Sequence, residues 1–220
     1  MRAMARPRIS GASIGRGKLL LAALFAACLP LPAVAQAPDV FGSTALPVAH
    51  TPLDARWQAA TVALGKSEGP WRALLQSARS DDPRAQLARV NAWVNQRIRF
   101  APDSGDHWAS ASQSLRSAKG DCEDYAIAKM QLLRALGYRS DDLYVVIVRD
   151  LVRRADHAVL VARSEGRFVV LDNGTDRILD ADAVRDYRPV MSYTIGHAWL
   201  HGYRRQPVQL TSISGGGSGL

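Results

Sequence analysis

At Gly137 the chain changes its hydrophobic period. Before it, apolar residues recur at the three- and four-residue spacing of helices; after it, β-branched residues gather in short runs bounded by turn residues. Asp82-Pro83 is a cap followed by proline in the first turn, and Leu87, Val90, Val94 and Ile98 then mark one helical face. WQAATVAL (57–64) and WRALLQSAR (71–79) read as shorter amphipathic helices. Residues 101–119 read as a polar loop holding Trp108, and 122–136 as a helix that Gly137 stops. Downstream, DLYVVIVRD (142–150), HAVLVAR (157–163) and RFVVLDN (167–173) read as strands, the last two joined by the hairpin signal Ser164-Glu165-Gly166. DRIL (176–179) and PVMSYT (189–194) add strands. Helices first and strands second define an α+β fold, N-terminal helices packed on a C-terminal antiparallel β-sheet.

The ends read differently from the middle. Arg2, Arg6, Arg8, Arg16 and Lys18 precede an apolar run that closes on Ala33-Val34-Ala35, the pattern of a secretory signal peptide cleaved before Gln36. Ala26-Ala27-Cys28 offers lipoprotein processing as the alternative. Residues 36–52 read as an extended N-terminal arm, 53–205 as one domain and 206–220, rich in Gly and Ser, as a flexible tail. Export changes two arguments. Without the leader's five basic residues the 28 Lys and Arg become 23, against 20 acids, so the net +8 falls to about +3 and implies no nucleic-acid partner. Cys28 leaves with the leader or is acylated, so Cys122 stands alone in an oxidising compartment, either as a buried structural thiol or as a reactive one.

Cys122 lies in KGDCEDYA (119–126), among Asp121, Glu123 and Asp124. Negative charge opposes a thiolate, whereas the start of a helix favours one. A thiol nucleophile needs a base and a group to orient it. His157 opens a strand and Asp172 ends the next. Pairing about a turn near 164–165 sets them almost opposite each other, and a helix packed across that sheet can face Cys122 toward His157. Each residue also has a plainer reading. His157 can be an ordinary strand histidine, Asp172 the start of an Asp-Asn-Gly turn, and Trp108 a core residue. The acids can simply cap the helix. Alternatively they bind calcium, which takes six to eight oxygen ligands, with Asp103 and Asp106 in the preceding loop as further donors.

GDCEDYAIAK with LLRALGY, followed by a strand, DHAVLV and FVVLDN, resembles the bacterial transglutaminase-like cysteine proteinases, and within them the periplasmic LapG-type adhesin proteases. The resemblance runs from about Trp57 to Tyr193. It implies a papain-like, transglutaminase-type fold with a catalytic triad of Cys122, His157 and Asp172, and Trp108 as an oxyanion or cleft residue. It implies Ca2+ held by Asp121 and Glu123, with Asp124 structural. It also implies the partners: a large LapA-like surface adhesin as substrate, cut near its N-terminus so that cells leave a biofilm, and a LapD-like inner-membrane cyclic di-GMP receptor as inhibitor. A transglutaminase-like acyltransferase and a vestigial periplasmic binding module are the competing expectations.

Overall fold

The computed structural model describes residues 35–64, 69–103, 105 and 107–203. The leader up to Val34, the tail from 206 and Asp106 lie outside the described residues. In chain order the elements are β1 (Thr44–Val48), α1 (Asp54–Ala60), α2 (Arg72–Ala78), α3 (Pro83–Arg97), β2 (Arg99–Phe100), α4 (Ala111–Ser117), β3 (Lys119–Gly120) and α5 (Cys122–Leu136). After them come β4 (Leu143–Asp150), β5 (Ala155–Ser164), β6 (Arg167–Leu171), β7 (Leu179–Asp180), β8 (Tyr187–Thr194) and β9 (His197–Gly202). The fold is α+β. Seven strands form one antiparallel sheet in the order β1-β9-β8-β4-β5-β6-β7, and β2 and β3 form a separate parallel pair.

The central strands are apolar on both faces, which explains why they read as continuous runs rather than alternations. Leu143 and Val145 of β4, Leu160 and Ala162 of β5, and Val169 and Leu171 of β6 join the helices in one core. Tyr144, Val146, Val148, Val159, Val161 and Val170 point the other way. That reverse face is covered by the segment before β1, through Ala35, Val40 and Phe41. The segment expected as an extended arm thus straps the back of the sheet, and its strand β1 pairs with β9 at the edge. Pro47 is tolerated there because an edge strand has a row of unpaired groups.

Helix α5 is buried without a break from Glu123 to Leu133, as a helix enclosed on every side must be. It packs against β4 and β5 on one side and α2, α3 and α4 on the other. Gly137 ends it in the left-handed conformation at φ 107°. Asp82 caps α3, its side chain accepting from the Ala85 N–H at 2.9 Å.

Four local expectations need correction. Residues 111–117 are helix α4 rather than loop; only Ala111, Ser114 and Leu115 of it are buried, too few to set a period. Helix α1 begins three residues earlier than the apolar pattern, because Thr51 binds the Asp54 carboxylate ahead of it. Strand β7 shrinks to two residues, since Asn91 and Asn95 of α3 hold the chain before it as a turn, donating to the Thr175 carbonyl at 2.8 and 3.0 Å. The β5–β6 hairpin turns at Glu165-Gly166, both with positive φ (52° and 77°), rather than at 164–165.

Candidate active site

Cys122 is the first residue of α5, so its N–H is one of the donors that a helix start leaves free of intrahelical partners. The loop before it is tightly built. Lys119 and Gly120 pair with Arg99 and Phe100, which ties the end of α3 to the start of α5. Gly120 has to be glycine: a Cβ there would lie 2.5 Å from Oδ2 of Asp124 and 2.7 Å from its Cβ. Asp124 in turn accepts the Ala109 N–H at 2.8 Å and so fixes the loop next to Trp108. Trp108 is buried edge-on against Trp57 and Tyr193, with ring centroids at 6.5 and 6.2 Å.

His157 is the third residue of β5, paired with Val148 of β4. The shifted hairpin register places Asp172 diagonally across from it, two residues off the direct partner and still within reach. His157 Nε2 and Asp172 Oδ1 are 3.1 Å apart, and both side chains are buried. The two readings of Asp172 turn out to be compatible. The same Oδ1 accepts the Gly174 N–H at 2.8 Å, closing the Asp-Asn-Gly turn. Oδ2 accepts the Tyr187 hydroxyl at 2.5 Å, and the Tyr187 ring stands 5.7 Å from the imidazole. Burial opposes the Asp172 charge, but the His157, Tyr187 and Gly174 hydrogen bonds outweigh it and hold the carboxyl well below its usual range.

Tyr187 was not foreseen. It precedes a predicted strand and reaches the site only because β8 pairs with β4, which sets Tyr187 beside Asp150, and Asp150 beside Ala155 at the start of β5. Nothing local in RDYRPV announces that. For α4 a signal existed: Ser110 and Gln113 form a capping box, with the Gln113 side chain accepting the Ser110 N–H at 2.8 Å.

Cys122, Glu123, His157 and Trp108 line one cavity of about 360 Å3, walled by Leu53, Ile147 and Met191. Cys122 and His157 also line an adjoining cavity of about 380 Å3 with Phe100, Asp150 and Arg153. The cleft therefore opens to both sides of the two residues. Nε2 of His157 is engaged by Asp172, which leaves Nδ1 as the ring nitrogen available to another group.

The thiol itself faces acids. Its Sγ–H donates to Glu123 Oε2 at 3.1 Å. Burial first, then the Glu123 charge, push the thiol up, while the Ala158 N–H, next to His157, favours the thiolate. Burial also raises Glu123 to about 7 and Asp124 to about 6. Asp121 is raised by burial and then by the nearby Asp103 charge. Asp121 takes the N-cap position without a capping bond from its side chain, and its Oδ1 is buried with no hydrogen-bond partner among the described residues. Asp103 directs its own carboxylate to the Gly105 and His107 N–H groups at 3.2 and 2.9 Å. Among the described residues no three His, Cys, Asp or Glu side chains converge as a ready-made metal centre. What the site offers is a pair of hard oxygen donors, one of them orphaned, which suits a cation that completes its shell with backbone carbonyls and water.

An α+β chain with a thiol at a helix start, across from a buried histidine–carboxylate pair, has the layout of a thiol hydrolase. The profile of the bacterial transglutaminase-like cysteine proteinases matches residues 42–200, and the chain belongs to that family. It is of the LapG type. Legionella pneumophila LapG is 32% identical over 59% of this chain and 75% of that one, with a TM-score of 0.55. The calcium-bound form of that LapG is 30% identical over 67% of this chain and 87% of its own, also at TM-score 0.55. An EGTA-treated form matches at 32% identity, 59% and 73% coverage, and TM-score 0.55. A search of curated proteins finds no significant match.

Proposed function

We propose that this chain is a calcium-dependent periplasmic cysteine endopeptidase that cleaves the N-terminal region of a large surface adhesin. The observation that carries the reading is the buried His157–Asp172 pair in the cleft that Cys122 enters from the start of α5. In the mechanism, Asp172 holds Nε2–H and so directs the Nδ1 lone pair to the thiol. His157 takes the Sγ proton, and the thiolate attacks the scissile carbonyl carbon. The Cys122 N–H, with Trp108 beside it, stabilises the oxyanion. As the C–N bond breaks, His157 returns the proton to the leaving amine. Water activated by the same imidazole then attacks the thioester and frees the enzyme.

Asp121 and Glu123 are the residues that would hold calcium. Bound there, the cation supplies positive charge that offsets the acids opposing the thiolate. A LapD-like cyclic di-GMP receptor as inhibitor, release of cells from a biofilm, and export by the leader complete the proposal. The resemblance of GDCEDYAIAK, DHAVLV and FVVLDN to the LapG-type proteases motivates the first two, and the basic and apolar leader motivates the third. The test is cleavage of a recombinant N-terminal adhesin fragment by wild type and Cys122→Ala, each with and without chelator. Cleavage by wild type alone supports the reading, and cleavage surviving in Cys122→Ala overturns it. Cleavage by wild type that ignores the chelator overturns only the calcium assignment.

A further inference from the structure

Lys129 is fully buried, and its Nζ has no hydrogen-bond partner among the described residues. An ammonium in that position loses its hydration without a direct replacement, which opposes its charged form. A leucine or methionine would fill the same space at no such penalty, so a packing role does not explain the residue. Its place on the helix is informative. Lys129 follows Cys122 by seven residues, two turns along the same face of α5, about 10.5 Å in rise. Its side chain leans back toward the helix start.

Among the described residues, the charged groups that act on Lys129 are Asp172 first and Asp176 second, at the two ends of the turn after β6. Its own helix offers the Tyr125 ring, with Nζ 5.8 Å from the centroid. Helix α3 gives the same turn only the uncharged amides of Asn91 and Asn95, the latter donating to the Asp172 carbonyl and the Asp176 carboxylate at 3.0 and 2.9 Å. Asp172 is thus held by hydrogen bonds and also lies within the field of a buried cation.

We propose that Lys129 is a positioning residue whose buried ammonium is the counter-charge to Asp172 and, through Asp172, sets how readily His157 takes a proton. The inference rests on the reading of Cys122, His157 and Asp172 as a catalytic set. The sign follows from electrostatics. A positive charge near Asp172 offsets part of its field at the imidazole, so the imidazolium is less favoured than beside Asp172 alone. Burial lowers the lysine to about 7, which still leaves it an ammonium under mildly acid conditions.

The experiment is an NMR titration of the His157 imidazole in the full chain, for wild type and Lys129→Met, with thermal unfolding followed in parallel. In Lys129→Met the His157 midpoint moves up by about half a pH unit or more, and the unfolding transition establishes that the variant is folded. A folded variant with an unmoved His157 midpoint overturns the proposal. The Lys129 Nζ resonance of wild type at pH 6 gives a second reading that requires no variant: an ammonium supports the proposal and a neutral amine overturns it. Both readings concern the His157–Asp172 pair and not cleavage, so their failure is distinct from failure of the protease assignment.

Discussion

The two halves of the cleft are built to different degrees of completion. On the sheet side, both Asp172 oxygens are hydrogen-bonded, His157 is held by one of them, and the turn is tied to α3. On the helix side, the thiol donates a hydrogen bond to a carboxylate, and a second carboxylate has an oxygen with no hydrogen-bond partner among the described residues. Structural hydrogen bonds finish the first half, whereas the second carries more negative charge than a thiolate tolerates. The histidine–carboxylate pair is preorganised by the fold, and the thiol lies among charges that oppose its ionisation.

The sharpest break in this comparison is Asp172→Ala. It removes the acceptor of three hydrogen bonds at once and leaves His157 free to rotate. Catalytic efficiency on an adhesin fragment should fall by roughly 10³–10⁴-fold, the scale for loss of an orienting acid. A fall below tenfold in a variant shown to be folded would mean that the pair does not orient the base.

Chelation addresses the other half. If the acids hold calcium, a chelator should slow alkylation of Cys122 by about tenfold or more near neutral pH, and added calcium should restore it. The His157–Asp172 hydrogen bond is made by the protein alone, so its NMR signature should be present in both states. An alkylation rate indifferent to the cation would place the control of thiol reactivity elsewhere. Tyr187→Phe tests completeness on the sheet side. It deletes one charge-assisted hydrogen bond of about 2 kcal/mol and keeps the ring against His157. We expect a rate loss of about tenfold without loss of folding. Full activity would show that Gly174 and His157 suffice to fix Asp172.

How far these halves could be read in advance differs for physical reasons. Cys122, Gly137 and Asp82 follow from local rules of caps and stops, and the structure places the helix ends there. The proximity of His157 and Asp172 follows from strand pairing, and the structure shifts the register because Glu165-Gly166 forms the turn. A shift by an odd number would have turned Asp172 to the opposite face; the actual shift kept the side and made the contact diagonal. Tyr187 and Lys129 were beyond reach. The first depends on the strand order β8-β4-β5, which hairpin signals do not specify. The second sits in a sequence position that suits any exposed helical lysine, and only the enclosure of α5 makes it notable. Strands β1 and β9 were missed because they complete an edge: one carries Pro47, and the other is a short segment after a Gly196 turn.

The smallest effect uses acid to set the finished half against a distant part of the sheet. His201 of β9 lies between Ser43, at 2.7 Å from Nδ1, and the Ser192 hydroxyl on Nε2. Burial lowers it to about 4 from an ordinary 6.5. The unfolded chain therefore binds a proton there before the folded one does, and stability rises with pH between those two values. Nothing is lost above about 6.5, the loss accumulates as pH falls toward 4, and it levels off below that. For this partly exposed ring the difference between pH 7.5 and pH 4.5 comes to about 1 kcal/mol after discounting for solvent. Asp172 acts with the same sign in a lower window: held below its ordinary value, it keeps its contribution from pH 6.5 to 4 and loses it only in stronger acid. His201→Asn should therefore flatten the acid side of the denaturation curve between pH 6.5 and 4 while leaving the His157–Asp172 pair intact by NMR. A curve that keeps its slope in His201→Asn would move the acid-sensitive step away from the β1–β9 edge, and not to the carboxylates around Cys122, whose raised values make folding take up protons and so favour the fold in acid.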